Sequence, residues 1–245
     1  MRLTRAVATA VAASALLVAF VSPAGAEVPF TYEVTISNLT SGQPLTPPAV
    51  TTHRGDVNVF AVGSPASSGV QQIAENGDPS VLLGELAATA GVSEALVTST
   101  GPLVPEGTPG SAFFAGSVTF TITAGPGARF LSFVSMLICT NDGFTGVNRL
   151  KLPGAVGSSV SAATLGYDAG TEINTEDFAD IVPPCQGLIG VTSGEPGTAT
   201  TNPALAEGGV IHHHDGILGI ADLVPAIHGW DVDEPVATIE VTRVS

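Results

Sequence analysis

Residues 113–123 read FFAGSVTFTIT, residues 124–127 read AGPG and residues 130–137 read FLSFVSML. The first segment alternates apolar and small polar residues, which is the period of a β-strand with one buried face. The glycine- and proline-rich segment has turn chemistry, and the third segment is apolar enough for a strand in a core. These residues predict two strands joined as a hairpin at the centre of the protein.

Strand-like segments continue on both sides of this region. Residues 30–37, 57–62 and 236–244 also alternate, whereas residues 45–52 contain Pro47 and Pro48 and suit an edge strand or an extended loop. Residues 67–86 instead carry apolar residues at helical spacing around an Asn-Gly-Asp-Pro interruption, which predicts two short helices. Many short strands without a βαβ rhythm predict an all-β fold, an antiparallel β-sandwich with one or two short helices inserted.

The chain is predicted to begin with a segment that is removed. Arg2 and Arg5 precede an apolar run over residues 6–20, and Ala24-Gly25-Ala26 follows as a small-residue cleavage site. This pattern is typical of a secretory signal peptide over residues 1–26, with a transmembrane anchor as the alternative. Residues 27–245 then form one domain, since no linker or internal repeat divides them. We therefore expect a secreted, extracellular or periplasmic protein without a stable membrane span.

The net charge of the chain limits the classes of molecule that it can bind. The formal net charge is −15, and removal of Arg2 and Arg5 would make the chain more acidic still. Such a surface repels the phosphate backbone, so a nucleic acid is not expected as a partner. The expected partner is an extracellular or cell-surface ligand whose type the sequence does not define, and the oligomeric state is equally undefined.

The two cysteines of the chain are Cys139 and Cys185. In an oxidising compartment two cysteines most simply form one disulfide. The alternative is a pair of buried free thiols. A disulfide would connect the loop that contains Asp142 to the segment after Asp180.

Two acidic loops are the best candidates for a functional site. Asp142, Asp168 and Glu172 lie in segments punctuated by Gly143 and Gly170. Carboxylates and backbone carbonyls are the ligands of Ca²⁺, which takes six to eight oxygens, and glycine lets the backbone turn its carbonyls inward. The pattern is not an EF-hand, and acids that only cap turns are the alternative.

These loops carry a resemblance to a known family. Residues 140–147, TNDGFTGV, and residues 167–172, YDAGTE, resemble the paired signature of spondin N-terminal (F-spondin-type) domains. Gly143 stands where animal members have an aromatic residue, and Glu172 stands where they have Asp. The resemblance implies an antiparallel sandwich related in shape to C2 domains, a divalent cation at one end with Asp142, Asp168 and Glu172 as ligands, and a role in cell adhesion.

A histidine-rich segment gives an alternative hypothesis. His212 and His214 would share one face of a strand, and two imidazoles at that spacing can chelate Zn²⁺ or Cu²⁺, with His53 or His228 completing the site. That arrangement would make the chain a metal-binding protein or a metalloenzyme. Exposed histidines at a strand end are the simpler interpretation.

No catalytic nucleophile is indicated by the sequence. It has no Gly-x-Ser-x-Gly and no His-Glu-x-x-His motif. Glu176 and Asp177 are adjacent, and neighbouring side chains on an extended chain point apart, which is poor geometry for a glycosidase pair. The sequence thus favours a secreted, non-enzymatic, calcium-binding module for adhesion or extracellular ligand binding.

Overall fold

The protein is a β-sandwich with a third layer of helices and loops over one sheet. The computed structural model describes residues 28–98 and 101–245, so the predicted signal peptide and its membrane-anchor alternative lie outside the described residues. The strands form two antiparallel sheets, one of four strands and one of six. The predicted all-β fold class is confirmed.

The strands within the described ranges are β1 (Phe30–Asn38), β2 (Ala49–His53), β3 (Val92–Val97), β4 (Ser117–Ala124), β5 (Phe130–Met136), β6 (Gly143–Lys151), β7 (Ser159–Thr164), β8 (Gly166–Asp168), β9 (His212–His213) and β10 (Ala237–Arg243). The first sheet has the order β4-β1-β10-β7, and the second has the order β3-β2-β5-β6-β8-β9. The helices are α1 (Ser68–Asn76), α2 (Ser80–Ala88), α3 (Pro184–Ile189) and α4 (Pro225–His228), with 3-10 turns at Pro109–Ala112, Phe178–Asp180 and Pro203–Leu205. No helix in residues 28–98 or 101–245 is long and apolar enough to cross a membrane.

Two clusters of buried apolar residues hold the three layers together. The inward faces of the two sheets pack Val34, Ile36 and Ile239 against Leu131 and Phe133. The other face of the second sheet is covered by the helices and by the long C-terminal connections, whose apolar residues form a second cluster. Strand β5 is therefore buried on both faces over most of its length, which explains why its sequence is nearly continuous in apolar and small residues.

The predicted hairpin of residues 113–137 is wrong in its pairing. Both strands exist, but β4 pairs with β1 while β5 pairs with β2 and β6. The intervening turn crosses from one sheet to the other, so Ile122 and Leu131 meet across the core rather than side by side. Alternation in a sequence reports the buried face of a strand, and it does not report the neighbouring strand.

Other details also differ from the predictions. Strand β2 lies between β3 and β5 in the sheet interior because its two prolines precede the strand rather than interrupt it. Residues 57–62 form no strand. Helices α1 and α2 are confirmed, with Ser67 capping α1 by accepting a hydrogen bond from the Val70 N–H and Gly77 ending it in the left-handed conformation.

Candidate functional site

The two acidic loops meet at one end of the second sheet. Strand β6 begins at Gly143, antiparallel β8 ends at Asp168, and these two residues are directly paired. The Ala169 N–H also donates to the Asp142 carbonyl at 3.1 Å. A Cβ at position 143 would collide with the side chain of Thr140, which explains why glycine is needed there. We call Asp142, Asp168 and Glu172 the acidic site.

Asp142 is the centre of this arrangement. It is fully buried, and its Oδ2 accepts hydrogen bonds from the Thr171 N–H at 2.7 Å, the Glu172 N–H at 3.0 Å and the Thr171 hydroxyl at 3.1 Å. Its Oδ1 has no hydrogen-bond partner among the described residues. Burial, and after it the Asp168 carboxylate nearby, raise the pKa of Asp142 to about 7.

Asp168 is also buried and is held by its own loop. Its Oδ1 accepts the Gly170 N–H at 2.7 Å and its Oδ2 accepts the Asn174 side-chain amide at 2.6 Å. Gly170 has φ = 67°, and a Cβ there would lie 2.6 Å from the backbone of Val210. Glycine is therefore required where the loop turns back beside β9.

Glu172 contacts Asp142 through its backbone N–H rather than through its carboxylate. Its N–H binds Asp142, whereas its Oε1 accepts the Asn202 N–H at 2.9 Å. Burial raises the pKa of the Glu172 carboxyl to about 7, the Asn202 N–H opposes this shift, and Glu75, Asp142 and Asp180 add to it. The Glu172 carboxyl is therefore held by the Asn202 N–H, while the backbone N–H of Glu172 binds Asp142.

The three carboxylates do not form a compact ligand set in this structure. Among the described residues, two groups of three side chains have ligand atoms within 4.8 Å of one another, namely Cys139 with Cys185 and His228, and Asp177 with Glu195 and Asp222. Neither group contains a residue of the acidic site. In the first group the sulfurs form the predicted Cys139 to Cys185 disulfide. We call the second group the surface acids.

The histidines are dispersed. His212 Nδ1 lies 3.8 Å from Asp168 Oδ1, and the Val210 carbonyl is the main cause that raises the pKa of His212. His53 uses both ring nitrogens elsewhere, with the Arg54 carbonyl and the Ser132 hydroxyl each at 2.8 Å, and His228 lies beside the disulfide. No group of three histidines with the spacing of a metal site occurs in the described residues.

Glu176 has a structural role that its place in the sequence does not indicate. It is buried, has φ = 56°, and accepts the N–H groups of Leu218, Gly219 and Ile220 at 2.5, 2.7 and 2.9 Å. Its own N–H donates to Asn141 Oδ1 at 3.2 Å. Because Leu218, Gly219 and Ile220 lie 42 to 44 residues from Glu176 and Asn141 lies 35 residues from it, no local sequence pattern predicts these contacts.

A comparison with family models matches residues 45–178 to Spondin_N, which covers more than half of the chain and includes both acidic loops. The chain belongs to the spondin N-terminal domain family. A search of curated proteins found no match. The spondin assignment and the disulfide are both consistent with an extracellular β-sandwich module.

Proposed function

We propose that this spondin-type domain is a secreted, non-enzymatic module that binds Ca²⁺ at its acidic site and serves adhesion or extracellular ligand binding. The observation that carries the proposal is Asp142, a fully buried carboxylate with one unpartnered oxygen beside the buried Asp168. Asp142 and Asp168 would be the main ligands, and Glu172 would be a third.

The physical argument concerns the cost of burial. A buried carboxylate is stable only when it is protonated, paired with a cation or fully hydrogen-bonded. Asp142 satisfies one oxygen and leaves the other free, close to a second acid. Because oxygen donors prefer hard cations, a bound Ca²⁺ would neutralise both groups and hold the two loops together. Glu172 would have to turn its side chain away from Asn202 to join them.

Two observations support a non-enzymatic function. Members of the family are generally not enzymes, and the contact in this chain that most resembles a catalytic pair is inaccessible. His53 and Ser132 form a hydrogen bond that resembles a nucleophile and base. Both residues are fully buried between strands, so a substrate cannot reach them. Their contact is explained by polar satisfaction inside the sheet.

The test is a calorimetric titration of the purified, exported chain with CaCl₂. We expect one ion to bind the wild-type protein, and the Asp142→Asn, Asp168→Asn double variant to give no binding heat. Asparagine keeps the accepting oxygen of Asp142. At Asp168 both oxygens accept hydrogen bonds, so asparagine keeps only one of the two, and circular dichroism checks that the fold survives this loss. The matched control is Asp177→Asn with Asp222→Asn, which removes two acids from the surface cluster and is expected to leave binding intact. A wild-type protein that binds no Ca²⁺, or equal binding by the double variant, would disprove the proposal.

A further inference from the structure

The segment of residues 215–224, which we call the apolar loop, displays large apolar side chains to solvent. Leu218 and Ile220 are each 64% exposed, while Ile217 and Leu223 at the two ends are buried in the core. The loop is therefore anchored at both ends and turned outward in the middle. Gly216 and Gly219, both at positive φ, allow the tight backbone path between the anchors.

The backbone of this loop is held rigidly by hydrogen bonds to the buried residue Glu176. Three consecutive N–H groups, those of residues 218–220, point inward to its carboxylate. The Glu176 carbonyl also accepts the N–H groups of Asp222 and Leu223 at 3.0 and 3.2 Å. Since the backbone groups face inward, the side chains of Leu218 and Ile220 are directed away from the protein.

Holding the loop in this way carries a cost in backbone strain. Glu176 adopts a left-handed conformation that non-glycine residues disfavour, while its buried carboxyl group is satisfied by the three N–H groups of the loop. A rigid loop loses little conformational entropy when a partner binds, so its exposed apolar side chains can act as binding anchors. Burying Leu218 and Ile220 in a partner would supply the hydrophobic contribution.

The charge beside the apolar loop indicates the chemistry of the partner. Asp222 belongs to the loop and lies in the surface acids with Asp177 and Glu195. The ion pairs found in residues 28–98 and 101–245 are Arg54 with Asp56 and His212 with Asp168, so the surface acids have no basic partner within the described chain. A complementary surface would carry lysine or arginine next to an apolar cleft.

We propose that the apolar loop is a docking site for a protein segment that combines an apolar cleft or side chain with flanking Lys or Arg residues. The inference rests on the proposed role as a binding module but does not require the calcium ion. A lipid bilayer is a poorer fit, because the surface acids would be repelled by the anionic headgroups that usually attract peripheral proteins.

The test uses a phage-displayed library of random dodecapeptides as the probe. We expect selected peptides to combine Lys or Arg with large apolar residues, and to bind at least tenfold more weakly to the Leu218→Ser, Ile220→Ser double variant. The matched control is Val156→Ser, since Val156 is equally exposed at 64% but lies between β6 and β7; this variant should bind normally. Asp177→Asn with Asp222→Asn should weaken binding several-fold without changing the fold.

Three results would overturn the docking site. One is a selection that yields no peptide, or peptides without basic residues. Another is binding that the Leu218→Ser, Ile220→Ser variant leaves unchanged. The last is binding of the wild-type protein to phosphatidylcholine vesicles that the same variant abolishes, which would assign the loop to lipid. The measurement is repeated in chelator with the same expected affinity, so a failure of the calcium site and a failure of the docking site give different results.

Discussion

The acidic site and the surface acids contain the same chemical groups in opposite environments. The surface acids have carboxylate oxygens within 4.8 Å of one another, yet they lie at the surface, where water screens their repulsion. The acidic site is less compact, but Asp142 is fully buried and has an oxygen without a partner. The cost of burial, rather than the spacing of carboxylates alone, therefore marks a candidate cation site.

The largest effect on stability is expected from the disulfide, which connects the segment of the acidic site to a segment near the surface acids. The disulfide joins Cys139, three residues before Asp142, to Cys185, at the start of α3 and just after the segment of Asp177 and Asp180, over a separation of 46 residues. Replacing both cysteines with alanine should lower the free energy of unfolding by about 4 kcal/mol, because the unfolded chain gains loop entropy. Urea denaturation measures this value. A loss below about 1 kcal/mol would mean that the two regions hold together without the bridge.

A second, somewhat smaller effect concerns the pH dependence of the free energy of unfolding, which should distinguish the acidic site from the surface acids. In chelator, the folded state keeps the proton of Asp142 up to about pH 7, whereas the unfolded chain releases it near pH 3.8. The stability that this group contributes is therefore complete below the unfolded pKa and is lost as the pH rises towards 7. Asp142→Asn lacks this loss, so its stability relative to the wild type should rise by a few kcal/mol between pH 4 and pH 8, on the order of 1.4 kcal/mol per pKa unit.

Urea unfolding at several pH values in chelator measures this difference between variant and wild type. Subtracting the wild-type curve removes the contribution of the buried histidines, His53, His214 and His228, whose pKa values are lowered by burial and which destabilise the fold in acid. Glu172→Gln should change with pH in the same direction, since burial also raises the pKa of Glu172 to about 7. A difference that does not change with pH would contradict the role assigned to burial.

The smallest effect is expected at the surface acids. The carboxylates of Asp177 and Asp222 accept the N–H groups of Ala179 and Phe178, and asparagine can keep these bonds. Asp177→Asn with Asp222→Asn should therefore change the free energy of unfolding by no more than about 0.5 kcal/mol. Any gain should disappear in 1 M salt, where like-charge repulsion is screened. A loss above about 2 kcal/mol in thermal or urea unfolding would show that this cluster is structural.

The sequence predicted the fold class and the meeting of the two acidic loops. Alternation located β1, β4 and β10, and the paired signature placed Asp142 and Asp168 at one sheet end, where the β6 to β8 register confirms it. The hairpin pairing was wrong because the turn at residues 124–127 joins strands of different sheets. A turn sequence permits the chain to reverse, but the packing of both apolar faces decides which strands become neighbours.

Within the site, side-chain direction was the part that the sequence could not supply. Glu172 contributes its backbone N–H to Asp142 and turns its carboxylate to Asn202, and this depends on a loop thirty residues further along the chain. Glu176 supports the apolar loop through contacts with residues 218–223. Such roles are set by tertiary neighbours, and neither composition nor periodicity records them.

A crystal structure of the protein grown with Ca²⁺ tests the central claim most directly. We predict an ion beside the free Oδ1 of Asp142 and the Asp168 carboxylate, with oxygen ligands at about 2.3–2.6 Å, and no ion at Asp177, Glu195 and Asp222. Coordinates with Asp142 Oδ1 still unpartnered and no density between the two loops, or with the ion at the surface acids instead, would contradict this account.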